Sequence, residues 1–138
     1  MQSQIYLFFN GRTEEALEFY KKTLGIEVGM LMRFKDAPGP QDPNCAPPSN
    51  PNGVMHSSFK LGGQQIMASD GNGGGKPEFK GFSLTLAVDS EAEADRLFAA
   101  LSEGGQVQQP LIKTFFSPKF GVLSDKFGVG WMVMVEQK

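Results

Sequence analysis

His56 is the one histidine of the chain. It stands in GVMHSSFKLGGQQIMASDG, residues 53 to 71, where apolar and polar residues alternate as they do along a strand. An imidazole so placed can ligate a metal, transfer a proton, bind a polar group of a ligand, or simply hydrogen-bond within a wall. A hard metal ion needs several carboxylates or imidazoles converging on one point, and His56 alone does not supply them. Ser58 follows two residues on and faces the same way, so the two together can orient a polar molecule. No acidic residue at triad-like spacing activates either as a nucleophile. Cys45 lies in a proline-rich stretch with no histidine near it in sequence and reads as an incidental thiol. The glycine run in DGNGGGKPEFK, residues 70 to 80, does not open a helix and lacks a Gly-Lys-Ser/Thr ending, so it reads as a linker rather than a phosphate loop.

The elements that must hold these residues come in a repeated order. Residues 4 to 10 read as a strand. Arg12 to Leu24 changes to a helical period, with Ala16, Leu17, Phe19, Tyr20 and Leu24 on one side and Gly25 at its end. Glu27 to Lys35 reads as a strand. Asp36 to Gly53 holds six of the nine prolines and reads as a long loop. Val54 to Leu61 and Gln64 to Ser69 read as a hairpin turning at Gly62-Gly63. The second half repeats the series: a strand over Gly81 to Val88, a helix opened by Ser90 with Glu93 at capping-box spacing, then strands over Gln106 to Lys113, Phe120 to Ser124 and Gly130 to Glu136. Ala94, Leu97, Phe98 and Leu101 form the inner face of that helix, and Gly104-Gly105 ends it.

Two copies of strand-helix-strand-strand-strand predict an α+β fold of two βαβββ modules with mixed sheets. The chain reads as a single domain, 1–138, with a first module over about 1–70, a linker over 71–80 and a second module over about 81–138. Each sheet buries one face under its helix. Phe82, Leu84, Leu86 and Val88 are expected on the buried face, with Ser83 and Thr85 on the other. In the hairpin Met55, Phe59 and Leu61 form the apolar row. His56, Ser58 and Lys60 share the opposite face with Gln65, Met67 and Ser69, provided Ile66 and Ala68 pack inward.

The 40% hydrophobic and 20% charged composition is that of an ordinary soluble globular chain. A net charge of -2 without a basic stripe argues against a nucleic-acid partner. No segment approaches the ~20 apolar residues of a membrane span. The start, MQSQIYLFFNGRTEE, lacks the basic n-region of a signal peptide, and a single cysteine forms no internal disulfide, so a cytoplasmic location is expected.

YLFFNGRTEEALEFYKKTLG, VMHSSFKLGGQQIMASDG, SLTLAVDSEAEADRLFAAL and KFGVLSDKFGVGWMV together resemble the PhnB-like branch of the vicinal oxygen chelate superfamily, which includes glyoxalases, extradiol dioxygenases and bleomycin-resistance proteins. The resemblance spans residues 4 to 136. It implies paired modules whose curled sheets form a cup around a small-molecule ligand, and a homodimer. Metal-dependent members hold a divalent ion on four strands. Strand matching puts those positions near Ile5, Met67, Ser83 and Val133, or, one residue on, at Tyr6, Ala68, Leu84 and Met134. Neither set suits a hard ion, so no metal and no cofactor is expected unless Glu27, Asp70 or Asp125 converge with His56. KTFFSPKFG, residues 113 to 121, approaches the cup in similar proteins, with Phe116 where a Trp often stands. Trp131 and Val133 line the cup if Met132 and Met134 pack under the helix; Asp125 reads as a turn cap.

The expected ligand-binding residues are therefore His56, Ser58, Met67, Ser69, Ser83, Thr85, Phe116 and Trp131, with His56 the best catalytic candidate. The reading that follows is a small-molecule-binding protein without the superfamily metal. An isomerase- or lyase-type enzyme using His56 and the serines is the alternative. The label 3-demethylubiquinone 3-methyltransferase, carried by PhnB-like sequences, is the third. It fits poorly with Asn10-Gly11-Arg12, a turn too short for the usual S-adenosylmethionine loop. Arg12, Arg33 and Arg96 are too scattered to mark a phosphonate pocket.

Overall fold

A computed structural model describes residues 1–36, 51–71 and 77–136. The proline-rich stretch from residue 37 to 50, with Cys45, and the glycine run 72–76 lie outside the described residues. Two compact units, Met1–Pro77 and Glu78–Lys138, divide the chain. The first holds β1 (Ile5–Phe8), α1 (Thr13–Leu24), β2 (Glu27–Arg33), β3 (Val54–Leu61) and β4 (Gln64–Ser69). The second holds β5 (Leu84–Val88), α2 (Glu91–Ser102), β6 (Gln106–Ile112), β7 (Phe120–Ser124) and β8 (Gly130–Val135). Both are βαβββ modules. Their sheets run β1-β4-β3-β2 and β5-β8-β7-β6, the first pair of each parallel and the others antiparallel.

In the first module the helix and sheet bury a shared aromatic core. Tyr20 of α1 lies 6.2 Å from Phe59 of β3 between ring centroids, so the row Phe59, Ile66, Leu7 and Ala68 faces the helix. Glu14 and Glu15 in the first turn and Lys21 and Lys22 in the last complement the helix dipole. Gly25, at φ +67°, closes α1 by donating its N–H to the Lys21 carbonyl at 3.0 Å. The start of α1 is capped from a distance. Arg12 gives no side-chain cap; instead buried Asp70, just past β4, accepts from Thr13 N at 2.9 Å and from Val54 N at 2.7 Å. One carboxylate thereby ties the first turn of α1 to the first residue of β3.

A β-bulge sets the outer strand. Val28 pairs with Phe59 but Met30 pairs with Ser58, so Gly29 is the extra residue. The bulge moves Met30 and Met32 to the sheet face away from α1, opposite Ser58 and His56. The chain leaves β2 through a 3-10 turn, Phe34–Asp36. The two ends of the following loop are paired there: Phe34 N donates to Gly53 O at 3.1 Å and Lys35 N to Pro51 O at 2.9 Å.

The second module packs Ala94, Leu97, Phe98 and Leu101 of α2 against its sheet. Ser90 caps α2, its hydroxyl accepting from Glu93 N at 3.2 Å, while the Glu93 carboxylate accepts from Arg96 at 2.6 Å. A Cβ on Gly121 would lie 2.6 Å from the Phe98 ring, which identifies the helix-facing row as Gly121, Val133 and Leu86, with Leu123, Trp131 and Leu84 beside it. Two expectations are corrected. Trp131 and Val133 are fully buried on the helix side, and it is Met132 and Met134 that take the opposite face. Phe82 precedes β5, is 43% exposed, and meets Phe79 edge-on at 6.4 Å rather than joining the row of Leu84, Leu86 and Val88.

Candidate functional site

The sheet face of the first module away from α1 gathers the residues with chemistry. Its central rung crosses all four strands: Tyr6 pairs with Met67, Met67 with Ser58, and Ser58 with Met30. Beside it Phe8 pairs with Ser69, and Met32 with His56. Alternation along each strand forces this grouping, because the same strands send Leu7, Ile66 and Phe59 to the helix.

Tyr6 Oη lies 3.0 Å from His56 Nδ1, a hydrogen bond between residues 50 positions apart. The two rings are 5.6 Å apart, and the Tyr6 ring is 4.9 Å from Phe8 at 33°. Tyr6, His56, Ser58 and Met67 are half-buried, whereas Phe8 is 53% and Met30 42% exposed. Around the central rung the face is apolar and polarisable, with the paired Tyr6 and His56 and the Ser58 hydroxyl set in it, while Lys60 and Gln65 take exposed positions on the same face towards the hairpin turn. Of the residues singled out from sequence, His56, Ser58, Met67 and Ser69 come together here. Ser69 is buried and its hydroxyl accepts from Gly71 N at 3.2 Å, so it braces the turn after β4. Sequence reasoning missed Tyr6 and Phe8 as members of the site. Their signal was parity: Ile5 and Leu7 take the buried side of β1, which leaves Tyr6 and Phe8 on the other.

The second module places its candidates differently. Thr85 pairs with Met132 on the face away from α2, its hydroxyl 4.0 Å from the Met132 sulfur. Ser83 is exposed ahead of β5. Phe116 is 37% exposed and packs edge-on against Phe115 at 5.2 Å and Phe120 at 5.0 Å. Trp131 stands apart, buried, donating from Nε1 to Asp125 Oδ2 at 2.9 Å. Asp125 is the turn cap expected from sequence, its Oδ1 accepting from Phe127 N at 2.9 Å and Val129 N at 3.1 Å.

The donor chemistry does not fit a hard divalent ion. Of the matched positions, Ile5 and Val133 carry no donor atom, and Val133 lies under α2. One residue on, Tyr6 is bonded to His56, while Ala68 and Leu84 are buried aliphatic groups. The carboxylates of Asp70 and Asp125 accept from amides and the indole. Glu27 stands across from Lys60 on the hairpin edge. Among the described residues no three of His, Cys, Asp and Glu gather into a group that would hold a metal. The Arg33 guanidinium beside Glu14, at 2.6 Å, holds that carboxyl below its ordinary value, and Arg33 also donates to Asn52 O at 2.8 Å.

The chain resembles known proteins along nearly its whole length. It is 34% identical to Protein YjdN of Escherichia coli strain K12, over 94% of this chain and 92% of that one. Protein PA1353 from Pseudomonas aeruginosa is 42% identical, with a TM-score of 0.83 over 100% of this chain and 99% of that one. A putative 3-demethylubiquinone-9 3-methyltransferase, PhnB protein, from Bacillus cereus is 31% identical, with a TM-score of 0.80 over 98% of this chain and 99% of that one. At the level of fold alone, a glyoxylase/bleomycin resistance protein/dioxygenase domain from Frankia sp. EAN1pec superposes with a TM-score of 0.63 at 16% identity, covering 99% of this chain and 98% of that one. The family model described as 3-demethylubiquinone-9 3-methyltransferase matches residues 2–134. With its paired βαβββ modules and these relatives, the chain belongs to that family, PhnB-like in its solved relative, and shares the fold of the glyoxylase/bleomycin resistance protein/dioxygenase domain.

Proposed function

We propose that this protein binds a small, largely apolar molecule on the open sheet face of the first module, and that it does so without a hard divalent ion. The observation that supports this best is the Tyr6–His56 hydrogen bond, 3.0 Å long, set among Phe8, Met30, Met32 and Met67. A few placed polar groups in an apolar, aromatic surround is the usual make-up of a ligand site. Met67 and Met30 flank Ser58 on one rung and supply adaptable contact, while His56 and Ser58 orient a polar group. Ser83, Thr85 and Phe116 are proposed contacts on the second module's own open side. Trp131 is dropped from that set, because it is buried against Asp125. A cytoplasmic homodimer is part of the same proposal.

An enzymatic reading stands second, and the same hydrogen bond favours it. A tyrosine-paired imidazole is equipped to move a proton in an isomerisation or elimination. Methyl transfer, named in the family description, finds less support. The turn behind β1 is Asn10-Gly11-Arg12, and the Thr13 amide at the start of α1 already donates to the Asp70 carboxylate.

Thermal-shift screening of purified, EDTA-treated protein separates these readings. A ligand at 100 times its Kd stabilises the fold by about 2.7 kcal/mol, or about 10 °C for a chain of this size. The proposal expects such shifts from flat apolar acids or ketones, lost in His56→Ala, and none from S-adenosylmethionine. A shift from S-adenosylmethionine, or ligand binding that returns only when a divalent ion is restored, contradicts it. Turnover that collapses in His56→Ala while ligand binding persists selects the enzyme reading.

A further inference from the structure

We infer that Tyr6 locks His56 in the tautomer that carries its proton on Nε2, so that this face selects molecules presenting an acceptor oxygen, a carbonyl or carboxylate, beside a flat apolar body. The inference rests on the binding reading and names the ligand class for it. The contact joins Tyr6 Oη and His56 Nδ1 at 3.0 Å. A phenolic hydroxyl is a good donor, and its oxygen, with a lone pair delocalised into the ring, is a poorer acceptor than an sp2 imidazole nitrogen. The hydrogen bond therefore runs from Tyr6 to Nδ1, which leaves the proton on Nε2. When the ring is protonated both nitrogens donate, and Tyr6 accepts instead. In either charge state Nε2 is a donor, and among the described residues it meets no protein acceptor.

The surroundings set the rest of the class. The Tyr6 and Phe8 rings, 4.9 Å apart, form an aromatic shelf, and the thioethers of Met67 and Met30 share the rung with Ser58. Rings and sulfur favour a planar π-body over an aliphatic chain. The same tautomer denies a cation both nitrogens: the lone pair of Nδ1 is engaged and Nε2 is protonated. Tyr6 is thus a positioning residue acting through His56, and it decides which polar group the site takes.

The chain's single histidine makes the test direct, because one labelled imidazole gives one pair of ring-nitrogen signals. Long-range proton–nitrogen spectra of the full chain, recorded above the titration of the ring, are expected to show a protonated-type Nε2 and an unprotonated-type Nδ1 with no averaging. Tyr6→Phe is expected to relax this toward the averaged pattern of free imidazole. The same samples are then titrated with 2-naphthoate, 2-naphthylmethylammonium and naphthalene. The wild type is expected to prefer the naphthoate over the ammonium by about tenfold, the size of one hydrogen bond to a charged group. Tyr6→Phe is expected to lose most of that preference while binding naphthalene as before. A proton on Nδ1 or an averaged wild-type spectrum overturns the inference, as does a tautomer and preference unchanged in Tyr6→Phe. The wild-type spectrum stands without the variant, should the variant fail to fold. If none of the three compounds binds while the locked tautomer is seen, the binding reading falls and the tautomer assignment survives.

Discussion

Asp70 is the residue on which the first module's local geometry turns. Its two oxygens accept from Thr13 N and Val54 N inside a buried site, so removing the carboxylate strands two amides. Asp70→Ala is expected to lower stability by about 2–4 kcal/mol in chemical denaturation, since each stranded group costs about 1–3 kcal/mol. Trp131→Phe removes the donor to Asp125 Oδ2 and is expected to cost about 1–3 kcal/mol in the same assay. Glu14 gives a pH signature. Arg33 holds its folded value below the ordinary 4.5, so the contribution is present above that value and fades as pH falls through the lower, folded one. The denaturation midpoint of Glu14→Gln should therefore fall below the wild type near neutrality and meet it in acid, by a small margin, because the pair is exposed to solvent. Single residues were unevenly legible. Gly25 and Ser90 announced their caps through local chemistry. Asp70 did not, because its partners lie 57 and 16 residues away.

At the scale of the element, two glycines hold the strands in place. A Cβ on Gly105 would fall into the backbone of Ser124 and Asp125, where nothing flexible can give way. Gly105→Ala is expected to cost about 3 kcal/mol or more, read as a lost denaturation midpoint, whereas Gly63→Ala at the open hairpin turn should change little. The bulge at Gly29 is the other device, since strict alternation through EVGMLMR would put Val28, Met30 and Met32 on one face. The hairpin Val54–Leu61 and Gln64–Ser69 was readable to its last residue, as polar and apolar residues alternate and two glycines mark the turn. GWMVMV was not, because both of its faces are apolar and alternation alone cannot say which one meets α2. The Tyr6–His56 pair also escaped a reading by segments, since it exists only once β1 pairs in parallel with β4 and β4 with β3.

Across the whole molecule, the βαβββ unit occurs twice, each with its own helix-covered core, and the family is shared along almost the full length. The positions that the resemblance would assign to an ion, Ile5, Met67, Ser83 and Val133, carry aliphatic, thioether and hydroxyl groups. The chain's one imidazole is bonded to a tyrosine instead. Recognition by aromatic rings, methionines and a single oriented N–H is what such a face offers. The most direct check is calorimetric titration of 2-naphthoate into the EDTA-treated protein, with and without added Mg2+, Mn2+, Zn2+ and Ni2+, alongside His56→Ala. The account predicts one affinity in every wild-type sample and a loss of binding in the variant. A stoichiometric divalent ion in the untreated protein, with binding that vanishes on its removal and returns on its restoration, would contradict it.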